Sequence, residues 1–321
     1  MDIISTILWP IKWVIELILV GFHSLFTFFG MDGDAGLTWV LSIVGLVVVV
    51  RAALIPVFVR QIKNQRRMLE VAPHLKKIQD KYKGKKDQFS REAMSRETME
   101  LYKRTGTNPL SSCLPLLLQM PIFFGLFSVL NDAARNDAAG VGLLNQDLAD
   151  SLNQAELLGA PLSSTFIEAV NAGGPWQTMV IAVVMIILMT ASQFITQLQI
   201  VSKNMSPETK ASPMFRQQRI LLYLLPLVFA VSGVAFPIGV MFYWLTSNFW
   251  TMGQQFIVIR NMPTPGSEAA KAREARLARR GKLPAANEES GPAPEVEAPK
   301  PTQRQQPISK ARAKKKPGNR K

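Results

Sequence analysis

The 321-residue chain is poor in the residues that build crosslinks and metal sites: one cysteine, Cys113, and two histidines, His23 and His74, far apart in sequence. An intramolecular disulfide and a multi-cysteine metal site are excluded, and the histidines lack ligand-like spacing. No Walker-type phosphate loop, H-E-x-x-H or G-x-S-x-G occurs, which argues against a self-contained ATPase or protease. We expect no cofactor, no metal and no enzymatic activity. A second scarcity is local. Charges are nearly missing from five apolar stretches, Leu37–Val59, Pro109–Leu130, Trp176–Leu198, Gln217–Ala235 and Ile238–Ile257, and none of the five contains Asp or Glu. About twenty apolar residues cross ~30 Å of hydrocarbon as a helix. The predicted fold is therefore all-α: a polytopic membrane bundle of five core transmembrane helices.

The net charge of +14 is unevenly spread. Residues 60–107 hold fourteen Lys/Arg against six Asp/Glu, whereas 131–175 hold one arginine against six acids. Lys203, Lys210 and Arg216 follow the third stretch, and residues 258–321 are strongly basic. Cytoplasmic loops are the ones rich in Lys/Arg, so 60–107, 199–216 and the C-terminus are expected inside and 131–175 outside.

Three flanking regions complete the expected organisation. Residues 1–30 are apolar but interrupted by Pro10, Lys12 and Glu16, and Trp9 and Trp13 flank the lysine. They fit an amphipathic interfacial helix, with a further span and a cleaved signal as the other readings. Residues 31–260 form the five-helix core. Within it, 60–107 read as a cytoplasmic helical hairpin turning at Gly84: Met68, Val71, Leu75, Ile78 and Tyr82 make an a/d-like stripe in the first arm, and Phe89, Met94 and Leu101 a weaker one in the second. The outer loop has a predicted short helix near Leu143–Leu158. Residues 261–321 shift to Pro, Ala, Glu, Lys and Arg and are expected to be disordered, except for a helix around Glu268–Arg280.

Arg51 is the residue that asks for an explanation. It lies eight residues from the inner end of its stretch, ~12 Å deep at 1.5 Å per residue. Insertion scales charge such an arginine about 2.5–3.5 kcal/mol near a helix centre. It either snorkels to the inner headgroups or faces a water-filled cavity. With no acid in the stretches, its partners must be water, backbone carbonyls or neutral side chains. Gln119 and Gln193 lie deep in their stretches and are the leading cavity candidates; Asn248 and its polar neighbours in the fifth stretch otherwise glue helices together. The missing carboxylates also count against a proton-coupled transporter.

Longer motifs carry a resemblance. Asn108-Pro109-Leu110 running into Leu114-Pro115-Leu116-Leu117-Leu118-Gln119-Met120-Pro121, Asn204-Met205-Ser206-Pro207, and Phe236-Pro237-Ile238-Gly239 through Tyr243-Trp244 to Asn248 and Gln254-Gln255 are together similar to the YidC family of membrane protein insertases, over roughly residues 5–260. The compact N-terminus is closest in style to actinobacterial members. The resemblance implies a multi-pass protein of the bacterial inner membrane that inserts membrane proteins and assists their folding, without nucleotide hydrolysis. It implies a hydrophilic groove open to the cytoplasm and to lipid, holding Arg51, with Gln119, Gln193 and Asn248 along it and Tyr243 and Trp244 near its outer end. An interfacial aromatic belt is the other reading of the last two. Nascent membrane proteins and the lipid bilayer are the implied partners. The Sec translocon is a further one, as is the ribosome through the basic tail and hairpin, although Lys/Arg runs bind anionic lipid as readily. A small-molecule or ion transporter and a purely structural translocon assembly factor are the competing functions.

Overall fold

The computed structural model describes residues 3–85, 87–108, 114–134, 140–207 and 226–281, with isolated positions 210, 220 and 224. The chain divides into a unit over 1–275 and a second over 276–321. The motif residues 109–113 and positions 217–219, 221–223 and 225 of the stretch Gln217–Ala235 lie outside the described residues, as does the tail beyond 281. Architecture is helical: α1 (Ile3–Phe28), α2 (Gly36–Lys81), α3 (Gln88–Thr105), α4 (Leu114–Ala134), α5 (Gln146–Gln154), α6 (Phe166–Asn171), α7 (Trp176–Lys203), α8 (Ile238–Asn261) and α9 (Glu268–Arg279), with a helical stretch over 226–233.

α7 shows why these helices form a membrane bundle. Its buried residues are Thr178, Ala182, Met185, Met189, Ser192 and Thr196, spaced three or four apart as one helical face requires. Val180, Val183, Val184, Ile187, Leu188 and Ile195 point outward. An apolar outer face of this extent would be unfavourable in water and is at home in lipid. Among the described residues, Leu8–Phe28, Gly36–Asn64 and Trp176–Lys203 are long and apolar enough to cross a membrane by length and composition.

α2 differs from expectation in one respect. No break separates the first apolar stretch from the hairpin: a single 46-residue helix, containing Pro56 and Pro73, runs through both. Each proline removes one backbone donor, and the helix continues through both. The turn that follows uses Gly84 at φ +86°. α3 is capped by Asp87, whose carboxylate accepts from Ser90 N at 2.9 Å, and it ends at Gly106 with φ +62°. Val71 is buried where the arms meet, but Phe89 is 85% exposed and takes no part in that packing. It sits in the first turn of α3, beyond the stripe.

The connection between α4 and α7 defines one end of the bundle, called here the loop end; the opposite end, where α2 continues into the hairpin, is the hairpin end. This loop is more structured than its composition indicated. It contains α5, a two-residue antiparallel pair β1 (Glu156–Leu157) and β2 (Ala160–Pro161), and α6 with a Thr165–Glu168 capping box. The pair turns through Leu158 and Gly159, both at positive φ, a geometry that tight hairpins need. Leu162 O and Ser164 O accept from Gly239 N and Ile238 N at 2.9 and 3.1 Å, satisfying donors at the start of α8 that the helix itself leaves open.

α1 packs across α2 and α4 near this same end. A Cβ at Gly45 would lie 2.7 Å from the Phe22 ring, and one at Gly125 would lie 2.9 Å from Ile15, so the two glycines permit the close crossings. Its interruptions are all satisfied. Lys12 Nζ pairs with Asp132 at 2.6 Å and donates to Ser128 at 3.1 Å. Glu16, fully buried, accepts from Val141 N at 2.9 Å and Gly142 N at 2.7 Å. His23 Nε2 meets Gly33 O at 2.9 Å, and its ring stacks on Trp39 at 4.1 Å.

Candidate functional site

The core is built outward from the loop end, and its filling stops partway along. On α2 the buried positions run from Thr38 and Trp39 through Val40, Ser42, Ile43 and Leu46 to Val47; the next is Gln61. No residue from 48 to 60 is fully buried, a length of about 20 Å at 1.5 Å per residue. α8 repeats the pattern: Tyr243, Leu245 and Ser247 are buried, then nothing until Val258 and Ile259. α2, α7 and α8 all start at the loop end, so the two gaps lie along the same half of the bundle, toward the hairpin.

Arg51 lies in the α2 gap, half-buried, its guanidinium 5.8 Å from the centre of the Phe58 ring two turns on. Among the described residues it forms no ion pair. The Tyr243 hydroxyl from α8 lies close enough to interact electrostatically with it. That hydroxyl in turn accepts from Gln119 Nε2 of α4 at 2.5 Å. Three helices thus deliver Arg51, Tyr243 and Gln119 to one place at the floor of the gap. Tyr243 accepts from Gln119 rather than donating to it. The set offers positive charge and hydrogen-bond donors beside apolar walls, and it lacks the paired nucleophile and base of a covalent mechanism.

The other sequence-predicted residues sit elsewhere. Asn248 Nδ2 donates to Met189 O of α7 at 3.3 Å, tying α8 to α7. Gln193 is half-buried on α7, with no contact placing it in the cluster. Trp244 packs into an aromatic group with Phe123, Phe229 and Phe236 at centroid distances of 5.6, 4.5 and 5.8 Å. Edge-to-face packing of this kind holds the half-buried ring in place. Sequence reasoning missed Gln61. It also noted Glu16 without seeing its role. A lone acid in an apolar helix is a signal for a buried partner, but the partner here is a loop backbone 125 residues away.

The chain's relatives agree with this architecture. The sequence pattern of the 60Kd inner membrane protein family matches residues 30–265, from just before α2 to just after α8. The chain belongs to the YidC family of membrane protein insertases. It is 44% identical to the membrane protein insertase YidC of Tropheryma whipplei (strain Twist) over 319 residues, covering 98% of this chain and 97% of that protein. It is 45% identical to that of Streptomyces avermitilis over 282 residues, covering 86% and 63%. With the Bifidobacterium longum insertase it shares 35% over 323 residues, covering 96% and 95%. As a YidC-family chain it is a multi-pass protein of the bacterial cytoplasmic membrane and not an enzyme.

Proposed function

We propose that this membrane protein insertase receives nascent membrane proteins in the under-packed hairpin-end half of its bundle, with Arg51 at the inner limit of a hydrated groove. The carrying observation is a half-buried arginine with no acid beside it, in a 13-residue stretch of α2 with no fully buried residue. An unpaired guanidinium in such a place is held by water and by whatever polar segment enters. A wet cavity reaching partway through the bilayer shortens the apolar barrier to a polar flank. The hydrophobic segment then leaves sideways into lipid, and its transfer supplies the driving force. Gln119 and Tyr243 set the floor; Gln193 and Asn248, on α7 and α8, belong to the groove's opposite side; Trp244 supports its closed end from behind.

The charge asymmetry orients the bundle with the hairpin and tail in the cytoplasm and the loop end outside. α1 then lies at the outer interface rather than across the membrane. Lys12, Glu16 and His23 span about 16 Å of helix, yet all three meet partners at the loop end. A crossing helix would place its two ends on opposite sides. In this arrangement 1–30 seals the outer side, 31–260 forms the insertase core and 261–321 extends into the cytoplasm. The basic hairpin and tail are further docking elements, for the ribosome and the Sec translocon.

Complementation of a depleted strain tests the groove. Insertion of a small substrate with a short translocated end should be restored by the wild type and not by Arg51→Ala. Full rescue by Arg51→Ala would remove that residue from the mechanism. For the tail, truncation after residue 262 should reduce ribosome co-sedimentation in a salt-dependent way; unchanged sedimentation would exclude a tail contact.

A further inference from the structure

The buried stripe of α2 does not simply end at the groove. Counting by sevens from Val47, it passes Leu54 and reaches Gln61, the same helical face two heptads on. Val47 and Gln61 are buried at 1% and 6% exposure, and Leu54 between them is only half-buried. Gln61 is the next buried residue on this face, at the hairpin end of the gap. An apolar residue would suit that position better on packing alone. Instead both Nε2 and Oε1 of Gln61 are buried without a hydrogen-bond partner among the described residues. On α7, past the buried Ser192 and Thr196, the half-buried Gln199 has a buried Oε1 that is likewise unpartnered among the described residues. Buried amides left unpaired are costly and call for an explanation.

The geometry points to Gln61 as a peptide-recognition residue at the cytoplasmic mouth of the groove, its side-chain amide pairing with a main-chain amide of the entering polypeptide. This assignment rests on the groove reading above. One donor and one acceptor on a planar carboxamide match one C=O and one N–H of a peptide unit. Such a contact is indifferent to side chains, as a route for many substrates requires. It also serves backbone that is not yet helical and has left water. Gln61 lies ten residues beyond Arg51, about 15 Å along the helix. A segment would meet the amide at the mouth before its polar flank reaches the arginine.

Insertion kinetics in proteoliposomes, with the purified full-length chain, test this. Two single-spanning substrates carry translocated tails of equal length, one of Gly and Ser, the other rich in proline, which lacks the backbone N–H. Gln61→Leu should slow the Gly/Ser substrate about threefold to tenfold, the range of one or two hydrogen bonds. It should leave the thermal midpoint unchanged or raised, and affect the proline-tailed substrate much less. Gln61→Asn should fall between wild type and Gln61→Leu. Equal rates for Gln61→Leu and wild type, equal slowing on both tails, or slowing that tracks a lowered midpoint would each overturn the assignment. With any of these, continued sensitivity to Arg51→Ala would leave the groove reading standing. Wild-type protein that inserts neither substrate would overturn both.

Discussion

The two halves of the bundle treat polar groups in opposite ways. At the loop end polar side chains are matched: Glu16 on backbone N–H groups, Lys12 on Asp132, Trp39 Nε1 on Ser151 at 3.1 Å, Thr38 on Asp32 O at 2.6 Å. At the hairpin end Arg51 lacks an acid, and Gln61 and Gln199 carry unpaired buried atoms. The sides of one membrane domain are thus built to different rules. One is finished, with loop, α1 and the starts of α2 and α8 locked in a single core. The other is left incomplete, and the polypeptide it handles supplies what is missing. Sealing one side and wetting the other lets a protein thin the barrier without opening a pore.

If this contrast is real, substitutions at the loop end should cost stability and those at the groove should cost insertion. The largest effect is expected from Trp39→Ala, which removes a fully buried ring stacked on His23. It should lower stability by about 3–5 kcal/mol, measured by thermal unfolding in lipid nanodiscs; a loss under 1 kcal/mol would mean the loop end is not the rigid half. Glu16→Ala comes next. It strands two backbone donors that now bond a carboxylate, for a loss of about 2–3 kcal/mol, and Glu16→Gln should recover part of it. Arg51→Met should do the reverse. Insertion falls about tenfold, roughly 1.4 kcal/mol, while the unfolding midpoint holds or rises because a poorly compensated charge is gone. A lowered midpoint would make Arg51 a structural residue and blur the comparison.

The smallest effect lies outside the membrane. Lys81 Nζ and the Tyr82 hydroxyl both donate to Glu97 Oε1, at 2.5 and 2.8 Å. The bond from Lys81 holds the Glu97 carboxyl below its ordinary range, and the same bond raises Lys81. The Glu97 contribution is present above the unfolded carboxylate pKa and lost as pH falls through the lower folded value. The Lys81 contribution is present below the unfolded lysine pKa and lost as pH rises through the raised one. Arm separation, followed by pulsed electron resonance between labels on α2 and α3, should stay flat around neutrality and widen slightly in acid. Glu97→Gln should abolish that acid response, and persistence of the response in the variant would assign it elsewhere.

Much of this was readable from residues alone, for physical reasons. Apolar length locates helices in lipid because the bilayer sets one scale, and Arg51 stood out because an isolated charge in hydrocarbon needs an explanation. The continuity of α2 through Pro56 and Pro73 was not readable, since a long helix tolerates a proline at the loss of one backbone bond and the sequence does not say whether it will. The loop's order was hidden too: beyond its own caps, its backbone is tied to the distant Glu16 carboxylate of α1 and to the first N–H groups of α8. Trp244 was assigned by position to the groove's end, but three phenylalanines from separate segments decide where it points. Gln61 escaped notice because a glutamine following Arg60, just past an apolar stretch, looks like a solvated helix surface; only burial reveals the missing partners.

The asymmetry between the halves is tested most directly by water access. Single cysteines are placed at positions 51 and 43 in a Cys113→Ser background, and an impermeant maleimide is applied to either side of sealed vesicles. The account predicts labelling at 51 from the cytoplasmic side only and none at 43 from either side. Labelling at 51 from outside, or protection of 51 equal to that of 43, would contradict it.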